Sequence, residues 1–170
     1  MSLKKKLEWC MKKGESEERK HKGLRKVEPD NEKSKKYIEK AEHNIEFAGT
    51  VRKLKKFNDW IFPIAFYAVY HSCLAVLIYF GYESRNQECT FIMLEHLIKE
   101  GKINLSPGDI NKLRKISKDI KEEDMKTLRE DFQYGIETGA KEELANNAVK
   151  TAKEFVERVK GTLYVLSGEV

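Results

Sequence analysis

The residues best equipped for chemistry gather around one histidine. His71 stands in IAFYAVYHSC, within WIFPIAFYAVYHSCLAVLIYFGY, a run from Trp60 to Tyr82 without a charged side chain. An imidazole titrates near pH 6.5, so it can take or give a proton in neutral solution, or hold a hydrogen bond. One helical turn to either side lie Tyr67 and Ala68, then Leu74 and Ala75, so the face of His71 is mostly apolar. Such a histidine reads either as a hydrogen-bonded core residue or as the centre of a site with Tyr67 beside it. Just after Gly81 come Ser84, Arg85 and Asn86. Their guanidinium and amide groups are able to grip phosphate or carboxylate, and the plainer reading is a capped turn.

Other chemistry is poorly supported. His21 and His43 have no partner at ligand spacing, and the adjacent Glu95 and His96 point to different sides of a helix. No metal site and no cofactor are expected. There is no phosphate-cradling glycine loop and no HExxH. Cys10, Cys73 and Cys89 are an odd number without a CxxC pair. That pattern predicts no disulfide framework, Cys73 and Cys89 as small buried hydrophobes, and a reducing cytoplasmic setting.

Charge is unevenly placed. Met1 to Val27 carries ten Lys/Arg against four Glu, leaving 23 against 24 in the remainder, so the net +5 belongs to the N-terminal arm. Lys4, Lys5, Lys6, Lys12 and Lys13 make that arm a candidate for tracking nucleic-acid phosphates. A solvated tail is the bland alternative, and Leu3, Leu7, Cys10 and Met11 at helical spacing also permit a short docked helix. The reading is a basic arm over 1–27 and a globular domain over 28–170. The arm lacks the apolar core and cleavage site of a signal peptide.

The elements that must position these groups read as helices. Asp30 or Asn31 caps a helix whose stripe is Tyr37, Ala41, Ile45, Ala48, Val51 and Leu54. FND, Phe57 to Asp59, starts the uncharged helix, and Gly81 ends it. A short helix over Thr90 to Glu100 is closed by Gly101. SPGD, Ser106 to Asp109, opens another through Ile110, Leu113, Ile116, Ile120 and Leu128. The last helix shows Leu144, Ala148, Ala152, Phe155, Val159, Leu163 and Leu166 on one face. No alternating run predicts a strand. The fold class is all-α, an up-and-down bundle of about five helices behind the basic arm.

The uncharged helix is long enough to span a bilayer. However, it contains Pro63, His71 and Ser72, and its tyrosines are scattered rather than gathered in two interfacial belts. Four single-striped helices also need an all-apolar mate. It reads as the core helix of a soluble bundle, with no membrane partner.

The residues carry a resemblance. LKKFNDW, then IAFYAVYH (Ile64 to His71) followed by GYESRN (Gly81 to Asn86), and LREDFQYG (Leu128 to Gly135) resemble the HEPN domain, from roughly Pro29 to Leu166. The closest likeness is to a small stand-alone branch in archaea and bacteria. That resemblance implies a helical bundle that often dimerises. It also implies either a metal-independent RNA-cutting toxin or a partner of a minimal nucleotidyltransferase. The family's site pairs an Arg with a His across four to six intervening residues. His acts as general acid or base on the ribose, and Arg stabilises the phosphorane. Here His71 matches the His, but Ile64 stands where the Arg belongs.

The expectation is therefore a degenerate HEPN-type module that binds a nucleotide, RNA or protein partner through Tyr67, His71, Ser84, Arg85 and Asn86. Its setting would be a toxin–antitoxin or nucleotidyltransferase-associated system, and its form a homodimer. The alternative is a metal-independent RNA endonuclease in which Arg85, relocated to His71, replaces the missing Arg.

Overall fold

The computed structural model of the chain describes residues 1–15, 22–106, 108–111 and 140–168. Asp30 opens the first long helix, α2 (Asn31–Leu54), its carboxylate accepting the Lys33 N–H at 2.8 Å. A shorter helix, α1 (Leu3–Gly14), precedes it. The chain turns back after α2 into α3 (Asn58–Tyr79), the uncharged helix. FND does mark that start, but the cap position falls on Phe57, whose side chain bonds nothing there; its carbonyl accepts the Trp60 N–H at 3.0 Å. Gly81 closes the end of α3 with φ +76, and an added Cβ would lie 2.7 Å from the Val27 carbonyl oxygen. Asn86 caps α4 (Gln87–Lys99) by accepting the Cys89 N–H at 3.0 Å. The last described helix is α5 (Ala140–Ser167).

The all-α bundle is as expected, with α3 at its centre. It packs against α2, α4 and α5, and on it Ala65, Ala68, Val69, Cys73, Val76 and Leu77 are buried. By length and composition it is a helix able to cross a membrane, yet 67% of its most apolar window is buried inside the bundle, which fits a soluble domain. The predicted stripe of α2 is buried at Ala41, Ala48 and Val51 and half-buried at Tyr37 and Ile45, while Leu54 at its end is exposed. On α5 the core takes Ala152, Phe155, Val159 and Leu163 as expected, and also Ala145, Val149 and Val156. Leu144 and Leu166 point outward. A stripe that steps by three and four drifts around a long helix, so its ends leave the contact.

Ser106 and Asp109 cap each other as SPGD predicts: Ser106 Oγ accepts the Asp109 N–H, and the Asp109 carboxylate accepts the Ser106 N–H and hydroxyl. Arg158 of α5 adds an ion pair to it at 2.7 Å. Burial alone would raise the Asp109 pKa, but the Ser106 bonds and the Arg158 guanidinium together lower it. The expected positions Leu113, Ile116, Ile120 and Leu128, and the LREDFQYG segment, lie outside the described residues.

Two expectations are corrected. Among the described residues there is a short antiparallel ribbon, β1 (Leu24–Lys26) paired with β2 (Tyr82–Ser84), in the register Leu24 to Ser84, Arg25 to Glu83 and Lys26 to Tyr82. Strands of three residues have no period to detect. Cys10 and Cys89 form a disulfide, against the expectation of no such bond and of Cys89 as a buried thiol. The bond joins residues separated by 79 positions, brought together because α1 docks at the start of α4. The inference from cysteine usage to a reducing compartment therefore no longer holds. Cys73 is the free thiol, fully buried as expected, and burial raises its pKa.

Residues 3–14 of the arm form the short docked helix rather than a solvated tail. Leu3, Leu7 and Met11 pack on the main core, while Cys10 and Leu24 are part of it. Gly14 touches β1 backbone to backbone: an added Cβ would sit 1.6 Å from the Leu24 carbonyl oxygen. Gly23 is also tight: an added Cβ would lie 2.3 Å from the Cys10 carbonyl oxygen and 2.6 Å from the Gly14 nitrogen. Arg25 Nε donates to the Gly14 carbonyl at the helix end.

Candidate functional site

His71 sits two turns before the end of α3, half-buried at the seam with α2. Three α2 residues at steps of three and four face it. Tyr37 stacks on the imidazole with centroids 6.3 Å apart and planes 22° from parallel. The Asn44 amide nitrogen lies 3.1 Å from Nδ1, and the Lys40 ammonium is close enough to repel a charged ring. Tyr67, one turn earlier on α3, closes the other side at 6.2 Å and is 53% exposed. Burial lowers the His71 pKa, the Tyr67 backbone carbonyl raises it, and Lys40 lowers it further; the net shift is down. The ring therefore favours its neutral form, which both donates and accepts a hydrogen bond. The lining beyond Tyr67 is aromatic too, with Phe66 edge-on to Tyr67 and stacked on Tyr70 at 5.9 Å.

Ile64 lies two turns before His71 and is 9% exposed, packed with Ala48, Val51, Ile61, Ala145 and Val149. The position that a charged partner would occupy belongs to the core. Burial of an unpaired guanidinium there would be costly, so the local packing suits isoleucine.

Of the residues singled out in the sequence, the structure brings His71 and Tyr67 together and places the rest elsewhere. Arg85 follows β2, and neither its ion pair nor its backbone bond is made with His71. Its guanidinium pairs with Glu83 at 3.3 Å, and its N–H bonds the Gly23 carbonyl. Within one protomer the turn after Gly81 does not bring it to the imidazole. Ser84 Oγ, Thr90 Oγ1 and the Asn86 carbonyl lie 2.8 to 3.0 Å from one another, and the Asn86 side chain caps α4. Both side chains are engaged in a capped turn. Lys4, Lys5, Lys12 and Lys13 lie exposed on the outer side of α1, with Lys6 half-buried at its edge. Sequence reasoning misses Tyr37, Lys40 and Asn44 as site residues; their spacing along α2 puts them on one side of that helix but does not say that this side meets His71. Among the described residues no cluster of three or more His, Cys, Asp or Glu is placed to hold a metal.

The arrangement can hold a planar ring against Tyr67 and the imidazole edge, with Lys40 and Asn44 available to phosphate or polar groups. It contains a proton acceptor, and the cation beside it is the Lys40 ammonium, with isoleucine at the family's Arg position. Comparison with curated proteins finds no match to the chain. A family model described as HEPN domain matches residues 34–162, which takes in α2, α3, α4 and most of α5, with α1 and β1 lying before it. A helical bundle with His71 on its central helix, matched over well over half its length, belongs to the HEPN domain family.

Proposed function

We propose that this chain is a catalytically degenerate HEPN module that binds a nucleotide or RNA at the Tyr37–His71–Tyr67 cleft. Nucleotide- and RNA-related function is known for the family. The carrying observation is the imidazole between two tyrosines, one of them half exposed, beside a helix position where Ile64 is buried in the core. Stacking between aromatic rings and a base is favourable for any base, which suits binding without chemistry. Loss of a charge partner for the transition state removes about 10²–10³-fold of rate or more, which argues against cutting. The setting proposed is a toxin–antitoxin or nucleotidyltransferase-associated system in the cytoplasm, with a minimal nucleotidyltransferase as protein partner. The chain acts as a homodimer, paired through the exposed apolar groups Phe47, Leu54, Phe57 and Trp60 around the α2–α3 turn.

The test is RNA binding and cleavage measured side by side in EDTA with wild type, Tyr67→Ala, His71→Ala and Arg85→Ala. Binding without cleavage is expected, weakened about 5- to 150-fold in Tyr67→Ala by loss of one stacking partner. Cleavage that persists in EDTA and vanishes in both His71→Ala and Arg85→Ala would overturn this and establish the nuclease, with Arg85 supplied from a second copy.

A further inference from the structure

Helix α1 is anchored more firmly than a solvated tail requires. Its inner side, Leu3, Leu7, Cys10 and Met11, packs on the bundle, and Cys10 is bonded to Cys89. Gly14 and Gly23 let its end meet β1 at backbone distance, Arg25 caps that end, and the Ser2 hydroxyl caps the start. These devices fix which side faces outward. That side carries Lys4, Lys5, Lys12 and Lys13 against a single acid, Glu8, and all five are exposed. Between them stands Trp9, 44% exposed, with Lys13 Nζ 3.8 Å from its ring centroid. That cation–π contact holds the indole within the lysine cluster.

We propose that this face of α1 is a contact surface for single-stranded nucleic acid, additional to the His71 cleft; it rests on reading the chain as a nucleic-acid-binding module. Four lysines over a helix about 18 Å long match a run of phosphates. An indole among them provides the stacking platform that an unpaired base accepts and a duplex does not. A basic helix with a tryptophan also suits an anionic lipid surface, but such helices insert their apolar side, and here that side is buried and disulfide-bonded. The family match begins at residue 34, so the surface is a feature of this chain added ahead of the shared domain.

The test uses the oxidised full chain and fluorescence anisotropy with labelled oligo(U) RNA and oligo(dT) DNA over a salt series. The variants are Lys4→Gln/Lys5→Gln/Lys12→Gln/Lys13→Gln together, Trp9→Ala and Tyr67→Ala. The quadruple variant is expected to flatten the slope of log affinity against log salt by about 3, at about 0.7 for each phosphate no longer neutralised. Trp9→Ala is expected to weaken binding about 5- to 150-fold. Tyr67→Ala is expected to leave the salt slope unchanged, so a failure of the cleft reading is visible separately from a failure at α1. An RNA–DNA difference present in the wild type and lost only in Tyr67→Ala would place sugar recognition at His71 and support α1 as the shared phosphate contact. An unchanged slope in the quadruple variant, with wild-type circular dichroism, would overturn the proposal. So would co-sedimentation with phosphatidylserine vesicles without binding to either oligonucleotide.

Discussion

Burial and the Lys40 ammonium both disfavour a charged imidazole at His71, against the Tyr67 carbonyl, and the balance lowers its pKa. In a proton NMR titration, assigned against His71→Ala, its midpoint is expected below the ordinary value of about 6.5. A midpoint at or above that value would sink the picture of a ring held neutral. The linkage follows from the direction of the shift. Between the folded midpoint and about 6.5 the unfolded chain binds more protons, so stability rises with pH there. The contribution is fully present above the unfolded value and is lost as pH falls through the folded one. His71→Ala should flatten this part of the stability profile. At this scale half the site was legible. His71 and Tyr67 announce themselves on one helix, whereas Tyr37, Lys40 and Asn44 reach the site only through the pairing of α2 with α3. Neither helix's own periodicity contains that pairing. Arg85 misleads for the opposite reason: it is near in sequence, and its groups are taken up by Glu83 and the Gly23 carbonyl.

Two glycines at helix positions should respond oppositely to a methyl group. At Gly14 an added Cβ meets the Leu24 carbonyl at 1.6 Å, so Gly14→Ala must push α1 off the ribbon. The expected cost is about 1–3 kcal/mol or more, the range for overpacking a fitted contact. At Gly49, inside α2, nothing lies within 4 Å, and Gly49→Ala is expected to stabilise by about 0.5–1 kcal/mol. Urea midpoints of both variants check the pair, and a neutral Gly14→Ala would mean that α1 is not docked as described. The same contrast explains what the sequence could and could not show of the elements. Asp30 and an apolar stripe located α2, and the run without charge located α3, because those signals are local; α4 is expected only from Thr90, and the Asn86 cap that starts it at Gln87 reads only as a turn. The β1–β2 ribbon, the Gly14–Leu24 contact and the Cys10–Cys89 bond are meetings of distant segments, and no local pattern specifies them.

At the scale of the whole molecule, large apolar side chains among the described residues stand exposed around the α2–α3 turn. Phe47, Leu54, Phe57 and Trp60 are each 47–61% exposed, and Tyr67 continues the region toward the cleft. Several large apolar side chains left exposed on neighbouring turns mark an interaction site when they meet in one patch. If two copies pair through it, light scattering at tens of micromolar should give twice the 19.9 kDa chain mass, and Trp60→Glu should return the single mass. A wild-type monomer at that concentration would remove the homodimer. It would also remove any route by which Arg85 of a second copy reaches His71.

The ribbon and the disulfide tie the start of the chain to segments made much later. Cys10 leaves the ribosome 79 residues before Cys89, an interval of roughly 4–16 seconds at about 5–20 residues per second. Until β2 and α4 emerge, α1 has nowhere to bury Leu3, Leu7 and Met11, and its thiol has no mate. A segment synthesised well before its partners is thus among the last to find its place. During that wait Cys10 is open to oxidants, to other thiols and to chaperones that recognise exposed apolar surface.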